Sequence, residues 1–190
     1  MKVFEFKEIE STQLKAKELS EVNEAPFLVL AESQQKGKGT KGRSWHSPAG
    51  GLYFTLVMEL DFNLLEINTV KFSQESCLLV VEVLKEFLED EYPSLKDLRV
   101  KAINDLYYKD AKLAGVLLES LNKNKNSTLL IGIGMNVRKF DSQVIDREVI
   151  SLEEILSQDD FTRYSNLGFS QNLVNKLIER LSTLKKPLFS

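Results

Sequence analysis

The stretch Ala31–Thr55, AESQQKGKGTKGRSWHSPAGGLYFT, decides between several fold classes. Gly37, Gly39 and Gly42 spell the dinucleotide-binding pattern G-x-G-x-x-G. Gly37 with Gly42-Arg43-Ser44 nearly spells the P-loop pattern, with arginine in place of lysine. Both motifs require a helix that begins at the glycines, because the helix N-terminus holds the phosphates. Here Pro48 and the glycine pair after it prevent such a helix, and the next segment, GLYFTLVMEL, predicts a buried strand. We therefore exclude both motifs and the folds that carry them.

Apolar spacing along the rest of the chain predicts its other elements. Strands are expected at residues 2–9, 26–33, 51–60, 98–102 and 127–137, and a hairpin at 105–120 that turns at Lys109-Asp110. Helices are expected at 11–21, about 65–91, 151–158 and about 170–184, with a polar loop at 122–126. Because strands come in neighbouring runs with one long helix between them, the pattern favours an α+β fold over a strictly alternating α/β sheet.

Composition restricts the class of protein. With 190 residues, 43% of them hydrophobic and 28% charged, the chain can bury the core of one ordinary domain. A net charge of −3 argues against a general nucleic-acid binder. The single cysteine, Cys77, excludes a disulfide framework within the chain, and its apolar surroundings predict a buried side chain. The N-terminus has no signal-peptide apolar region and no run is long enough for a membrane span, so we expect a cytoplasmic location.

The glycine-rich stretch is also basic. Lysine or arginine stands at positions 36, 38, 41 and 43, and no acidic residue interrupts the chain between Glu32 and Glu59. Glycine lets backbone N–H groups approach a ligand closely, and the basic side chains attract anions. With Trp45 directly after the basic run, the pattern favours a nucleotide or nucleic-acid phosphate as ligand. A solvated, flexible basic loop is the other interpretation of these residues alone.

Three further segments give the basic loop a context. Taken singly, Asn104-Asp105 is an ordinary turn dipeptide, Lys112 an ordinary surface lysine and IGIGMNV the end of a strand. Their order is more specific, running from EIESTQ through the basic loop and KAINDLYYKDAKLAGVLLES to IGIGMNV. In this order, over roughly Ile9 to Val137, the chain resembles the biotin protein ligases, which activate biotin with ATP and attach it to a carrier-protein lysine.

The resemblance implies a fold as well as an activity. It implies a mixed sheet flanked by helices, shared with lipoate ligases, and a glycine-rich flap that is partly disordered until it closes over an acyl-adenylate. We expect this catalytic domain at residues 1–150 and a helical extension, packed on the same domain, at 151–190. We also expect no N-terminal helix-turn-helix domain, and a C-terminal β-barrel that is missing or replaced.

The resemblance implies roles for individual residues. Ser11, Thr12 and Gln34 would pair the polar ureido group of biotin. The biotin-binding residues implied are Ser11, Thr12, Gln34, Gly37, Lys38, Thr40, Lys112 and Gly115. Those implied for the nucleotide are Lys38, Arg43, Trp45, Asn104, Gly132, Gly134 and Asn136. The catalytic residues implied are Lys112, Arg43 and Asp105, with Asp105 also at a phosphate-bound Mg²⁺ ion.

The implied reaction has two steps. Its substrates are biotin and ATP, and its metal ion is Mg²⁺. The biotin carboxylate attacks the α-phosphorus, giving biotinyl-5′-AMP and pyrophosphate. A carrier lysine then attacks the mixed anhydride, and AMP leaves. The implied partner is a biotin carboxyl carrier protein, such as a subunit of acetyl-CoA carboxylase, with no role for DNA or a membrane; a homodimer stays open.

The sequence departs from the family pattern at two places. Where the family has arginines in its flap, this chain has Lys38 and Thr40, and where the family has Trp-Pro it has Ala102-Ile103. Lysine lacks the planar fork of arginine, and threonine carries no charge. We therefore expect weaker retention of the adenylate. Changing Thr40 to Arg should slow adenylate release, and an unchanged release rate would count against this expectation.

Three other functions remain open. A lipoate or octanoate ligase or transferase belongs to the same superfamily, although a purely apolar acyl pocket would not need Ser11, Thr12 and Gln34. A biotin- or nucleotide-binding protein without turnover is favoured by the altered flap and opposed by Lys112 and Asp105. A nucleic-acid-binding module using the basic loop would show salt-dependent DNA binding, which the acidic balance opposes.

Overall fold

The computed structural model describes residues 1–60, 68–101, 103–123, 126–141, 148–165 and 169–182. The strands are β1 (Lys2–Ile9), β2 (Phe27–Gln34), β3 (Leu52–Leu60), β4 (Leu98–Lys101), β5 (Asp105–Tyr108), β6 (Ala111–Lys123) and β7 (Asn126–Met135). The helices are α1 (Thr12–Leu19), α2 (Thr69–Glu91), α3 (Leu152–Ile155), α4 (Gln158–Ser165) and α5 (Phe169–Ser182). None of these helices is both long and apolar enough to cross a membrane.

All seven strands belong to one sheet, in the order β1-β2-β3-β7-β6-β5-β4. β1 and β2 are parallel, joined through α1, and the other neighbouring pairs are antiparallel. The predicted hairpin that turns at Lys109-Asp110 forms between β5 and β6. The mixed sheet flanked by helices that the resemblance implied is confirmed.

Both faces of the central strands are covered, which explains their continuous apolar runs. Successive side chains of a strand point to opposite faces. In β3, Phe54 and Leu56 pack into the large core that α2 covers, whereas Val57 packs into a second cluster with Ala16 of α1. The sheet therefore has an α2 face and an α1 face, and the candidate site lies on the α1 face.

Several boundaries differ by one to a few residues from those predicted, and two of these differences have an identifiable cause. The long helix begins at Thr69, because the Asn68 side chain accepts a hydrogen bond from the Lys71 backbone N–H at 3.0 Å and caps it; positions 65–67 of the prediction lie outside the described residues. The expected polar loop at 122–126 was wrong in extent. The β6–β7 ladder continues to the pair Lys123 and Asn126, because polar residues are tolerated at the end of a hairpin ladder.

The segment after residue 150 contains an unpredicted helix. Instead of one helix at 151–158, α3 ends at Ile155 and α4 follows, because Ser157 Oγ accepts from the Asp160 backbone N–H at 3.1 Å as an N-cap does. α5 begins at Phe169, one residue earlier than predicted, and positions 183–184 of that prediction lie outside the described residues. Four of its side chains enter the core under α2: Phe169, Leu173, Val174 and Leu177.

Candidate active site

Two cross-strand rows of residues lie on the α1 face, and their members on β5, β6 and β7 form the floor of a pocket. Across β3, β7, β6 and β5 the first row is Tyr53, Gly134, Gly115 and Asp105, and the second, one pleat away, contains Thr55, Gly132 and Leu117. Residues two apart on a strand share a face, so both rows point into the same space. Because the middle positions are glycine, the floor is at the level of the backbone.

The indole of Trp45 lies on this glycine floor. A Cβ atom at Gly134 would stand 2.5 Å from the indole Nε1, and one at Gly115 would stand 3.0 Å from its Cζ3. Glycine is therefore required for the ring to lie this close to the sheet. The Trp45 Nε1 atom is buried and has no hydrogen-bond partner, and an unpaired buried N–H is costly unless a ligand satisfies it.

Lys112 and Asp105 form a buried ion pair at one end of the floor. Their side chains are 6% and 9% exposed, and Lys112 Nζ lies 2.6 Å from Asp105 Oδ1. The same Nζ lies 5.0 Å from the centre of the Trp45 ring, a cation–π contact. A positive charge is thus fixed over the floor, within reach of an anionic ligand group.

A β-bulge aims Lys112 into the pocket. The register between β5 and β6 shifts between Leu106 and Tyr107, so that Tyr107 pairs with Lys112 while Leu106 pairs with Ala114. The extra residue is Leu113. It and the next residue, Ala114, both pack into the core on the α2 side, whereas consecutive residues of a regular strand would point to opposite faces. The shift turns Lys112 to the same face as Gly115, as bulges beside active sites do.

Polar side chains close the opposite end of the pocket. Gln34 Oε1 accepts from the Thr12 backbone N–H at 2.7 Å and lies 3.1 Å from Thr12 Oγ1, which in turn lies 3.0 Å from Thr55 Oγ1. Gln13 Oε1 lies 3.1 Å from that Thr55 hydroxyl. Ser11 is 1% exposed, and its hydroxyl has no partner. This end is therefore a preorganised polar surface with one unsatisfied hydroxyl.

The glycine-rich stretch folds back over the pocket as a narrow hairpin. Its two arms are bridged between Gln34 and Ser47 and between Lys38 and Ser44. At the tip, Lys41 and Gly42 have φ of 58° and 73°, the left-handed conformation that reverses the chain. The flap predicted from the resemblance thus lies over the pocket; its ordering on ligand binding stays a prediction.

Most of the predicted site residues lie around this one pocket. Those that line it are Ser11, Thr12, Gln34, Lys38, Thr40, Arg43, Trp45, Asn104, Asp105, Lys112, Gly115, Gly132 and Gly134. Gly37 and Asn136 are outside the lining. The Gly37 backbone packs against the Trp45 carbonyl oxygen and Ser47 Oγ, leaving no room for a side chain. The Asn136 amide donates to the backbone oxygens of Lys112 and Ile150, both at 3.2 Å, and so braces the strand that carries Lys112.

Sequence reasoning missed Gln13. This side chain is 3% exposed and lines the pocket. Its Oε1 packs against Gly132, where an added Cβ atom would stand only 2.6 Å from it. Its position beside Thr12 at the start of α1 was the available signal, because a polar residue in the first turn of a helix next to a predicted site residue shares its surroundings.

The charges lining the pocket favour anions. Lys38, Arg43 and Lys112 face a single acidic side chain, Asp105, among the described lining residues. The described part of the chain holds no cluster of three or more His, Cys, Asp or Glu that could bind a metal ion by itself.

At the edge of the floor, burial raises the pKa of Tyr53, whose hydroxyl donates to the Pro48 carbonyl oxygen at 2.9 Å. The hydroxyl therefore stays protonated and anchors the end of the flap.

The chain is similar to several known proteins. It is 33% identical over 129 residues to the bifunctional ligase/repressor BirA of Escherichia coli K12, covering 66% of this chain and 38% of that protein. It is 32% identical over 130 residues to the biotin–protein ligase of Homo sapiens, covering 67% of this chain and 18% of that one. The chain therefore spans less than half the length of these relatives.

A solved structure and a family model agree with these matches. The biotin protein ligase from Aquifex aeolicus in complex with biotin and ATP superimposes with a TM-score of 0.67 and 29% identity, covering 97% of this chain and 72% of that one. Residues 3–136 match the model of the biotin/lipoate A/B protein ligase family, and this span includes the whole glycine floor, the flap and the Lys112–Asp105 pair. The chain belongs to the biotin/lipoate A/B protein ligase family.

Proposed function

We propose that this chain catalyses the ATP-dependent attachment of biotin to a lysine of a biotin carboxyl carrier protein, through biotinyl-5′-AMP. The observation that carries the proposal is the buried Lys112–Asp105 pair on a glycine floor, opposite a fixed polar surface. That combination suits a ligand with a polar ring at one end and a carboxylate at the other. Family membership and the similarity to biotin ligases support the same activity.

The polar end would select biotin. Ser11 Oγ is unsatisfied, and Gln34 and Thr12 are held by hydrogen bonds to each other. A pocket of this kind rejects acyl groups that cannot pair its polar atoms, because those atoms would then be buried without partners. This observation favours biotin over lipoate or octanoate, whose acyl ends are apolar.

The charged end would carry the chemistry. In the first step the biotin carboxylate oxygen attacks the α-phosphorus of ATP, and pyrophosphate leaves. Lys112 would offset the charge that builds up as the two anions meet, and Arg43 and Lys38 would hold the phosphates. In the second step the amine of the carrier lysine attacks the acyl carbon, AMP leaves and the amine loses its proton. Positioning and charge stabilisation are the main sources of rate enhancement.

Magnesium would enter as part of the substrate Mg·ATP. A Mg²⁺ ion is commonly bound by one or two carboxylates together with substrate phosphates. Asp105 is the carboxylate that the described pocket offers for this role, and Asn104 lies beside it. Independence from DNA and a cytoplasmic location stay predictions, and a homodimer stays open.

The test is incubation with biotin, Mg·ATP and an apo biotin carboxyl carrier domain, read by intact mass of the carrier. We expect a mass gain of one biotinyl group that is lost in Lys112→Ala. A matched control is Lys109→Ala, which removes an exposed lysine at the turn of the same hairpin and should retain activity.

Parallel reactions with lipoate and octanoate decide between the alternatives. A gain with either acid and none with biotin would overturn the proposal in favour of a lipoate or octanoate ligase. Binding of biotin or ATP without any carrier product would indicate a binding protein without turnover.

A further inference from the structure

We propose that Thr40 is a positioning residue that holds the guanidinium of Arg43 at the mouth of the pocket. This inference rests on the proposed function for the identity of the ligand. It assigns Thr40 a role through another side chain rather than the direct biotin contact that the resemblance implied. The contact is made by the residue that replaces an arginine in the family pattern.

Three hydrogen bonds join Arg43 to this single residue. Arg43 Nη2 donates to Thr40 Oγ1 at 2.7 Å, and Arg43 Nε donates to the Thr40 carbonyl oxygen at 3.2 Å. The Arg43 backbone N–H also donates to that carbonyl oxygen, at 3.3 Å. The guanidinium and the backbone N–H of Arg43 are thus both hydrogen-bonded to Thr40, on the other side of the flap tip.

The backbone of the flap makes this contact possible. The left-handed Lys41 and Gly42 fold Arg43 back onto Thr40, and the Gly39 N–H donates to the Arg43 carbonyl oxygen at 2.7 Å. Arg43 is exposed and Thr40 half-buried, and both line the pocket. Without the threonine hydroxyl, Nη2 of this exposed arginine would lose its fixed partner, and only the bond from Nε to the Thr40 carbonyl oxygen would hold the guanidinium.

The contact sets which part of the guanidinium is available for a ligand. A guanidinium carries five N–H groups; two are engaged by Thr40, so three remain for a phosphate. Holding the planar fork in one orientation lowers the entropy that is lost when it binds. Changing Thr40 to Arg would add a cation but remove the hydroxyl acceptor of Arg43 Nη2, which opposes the slower adenylate release expected from the sequence.

The test compares two variants at position 40 with one at position 43. Thr40→Val keeps the shape but removes the hydroxyl acceptor, Thr40→Ser keeps that hydroxyl, and Arg43→Ala removes the donor. We expect Thr40→Val to raise the KM for ATP about three- to tenfold, since a hydrogen bond to a charged group is lost at an exposed site. Thr40→Ser should stay near wild type. Adding Thr40→Val to Arg43→Ala should cause no further change, because the partner is already gone.

A readout without ligand separates this inference from the proposed function. Nitrogen-15 NMR on the free protein measures rotation about the Cζ–Nε bond of Arg43. We expect slow rotation in wild type and Thr40→Ser and faster rotation in Thr40→Val. Equal rotation rates, or equal KM values for ATP, in Thr40→Val and Thr40→Ser would overturn the inference. If the wild type forms no adenylate, the proposed function fails, and the rotation rates alone decide about Thr40.

Discussion

At the scale of single residues, the pairing of Lys112 with Asp105 makes a prediction about stability. Changing Asp105 to Asn removes the carboxylate from a buried ammonium at 2.6 Å. Breaking one side of a buried pair costs about 3–5 kcal/mol. If the biotin carboxylate pairs with Lys112 as proposed, biotin should restore part of that loss. We therefore expect a lower Tm for Asp105→Asn without ligand, and a larger rise in Tm with biotin than in wild type.

A double variant controls for this effect. Changing Lys112 to Met together with Asp105 to Leu removes both charges, which is often neutral for stability. Such a protein should unfold close to wild type and gain nothing from biotin. An Asp105→Asn variant as stable as wild type would contradict the buried-pair argument.

The residue scale also shows where sequence reasoning stops. The order of motifs placed Lys112 among the site residues. It could not show that a register shift between Leu106 and Tyr107 turns the side chain to the face of Gly115, because a slip of one residue sends a strand's side chains to the other face. Nor could it show that Thr40 accepts a hydrogen bond from Arg43, since that contact depends on two left-handed residues at the flap tip.

At the scale of elements, the glycines of β6 and β7 act as a floor for the Trp45 ring. Changing Gly134 to Ala would place a Cβ atom 2.5 Å from the indole, so the ring must move. Changing Gly115 to Ala would place it 3.0 Å away, a smaller conflict. We expect the rate of adenylate formation to fall by up to about 100-fold in Gly134→Ala and by less in Gly115→Ala, because displacing a positioned group by about 1 Å can cost a rate factor of this size.

Tryptophan fluorescence checks the displacement directly. Trp45 is the single tryptophan of the chain, so its emission reports this ring alone. A red shift in Gly134→Ala, with a smaller one in Gly115→Ala, is expected as the indole becomes wetter. Unchanged emission with a reduced rate would show that the glycine acts on the ligand and not through Trp45.

Elements could be predicted where one physical cause dominates. The apolar runs of β2 and β3 predicted buried strands because both sheet faces are covered. α4 was missed because its N-cap, Ser157, lies inside what appears in the sequence as one helix-forming segment. The N-cap of α2, Asn68, was likewise not predicted, because apolar residues before it extended the helical pattern towards residue 65.

At the scale of the whole molecule, the packing of α5 predicts that it unfolds with the sheet. Leu177 is fully buried in the core under α2, whereas Arg180 forms an exposed ion pair with Glu86 at 3.2 Å. Leu177→Ala should lower the free energy of unfolding by about 2–5 kcal/mol, and Arg180→Ala by less than about 1 kcal/mol. Urea unfolding should show one transition in both variants. A separate early transition would mean that α5 unfolds independently, against the single domain expected from the sequence.

Buried acidic groups predict how the stability of the whole molecule depends on pH. Burial raises the pKa of Cys77 from 9.0 to about 12, and that of Tyr92 from 10.0 to about 12. Each group binds its proton more tightly in the folded state, so its contribution is complete below the unfolded pKa and is lost as pH rises towards the folded one. Each such proton changes the free energy of unfolding by up to about 1.4 kcal/mol per pH unit.

The midpoints of urea unfolding should therefore be constant near pH 8 and fall above pH 9. Cys77→Ala, measured with reductant present, should fall less between pH 9 and 10, where the thiol is the first group to titrate on unfolding. The same slope in both proteins would show that burial of Cys77 does not govern alkaline stability.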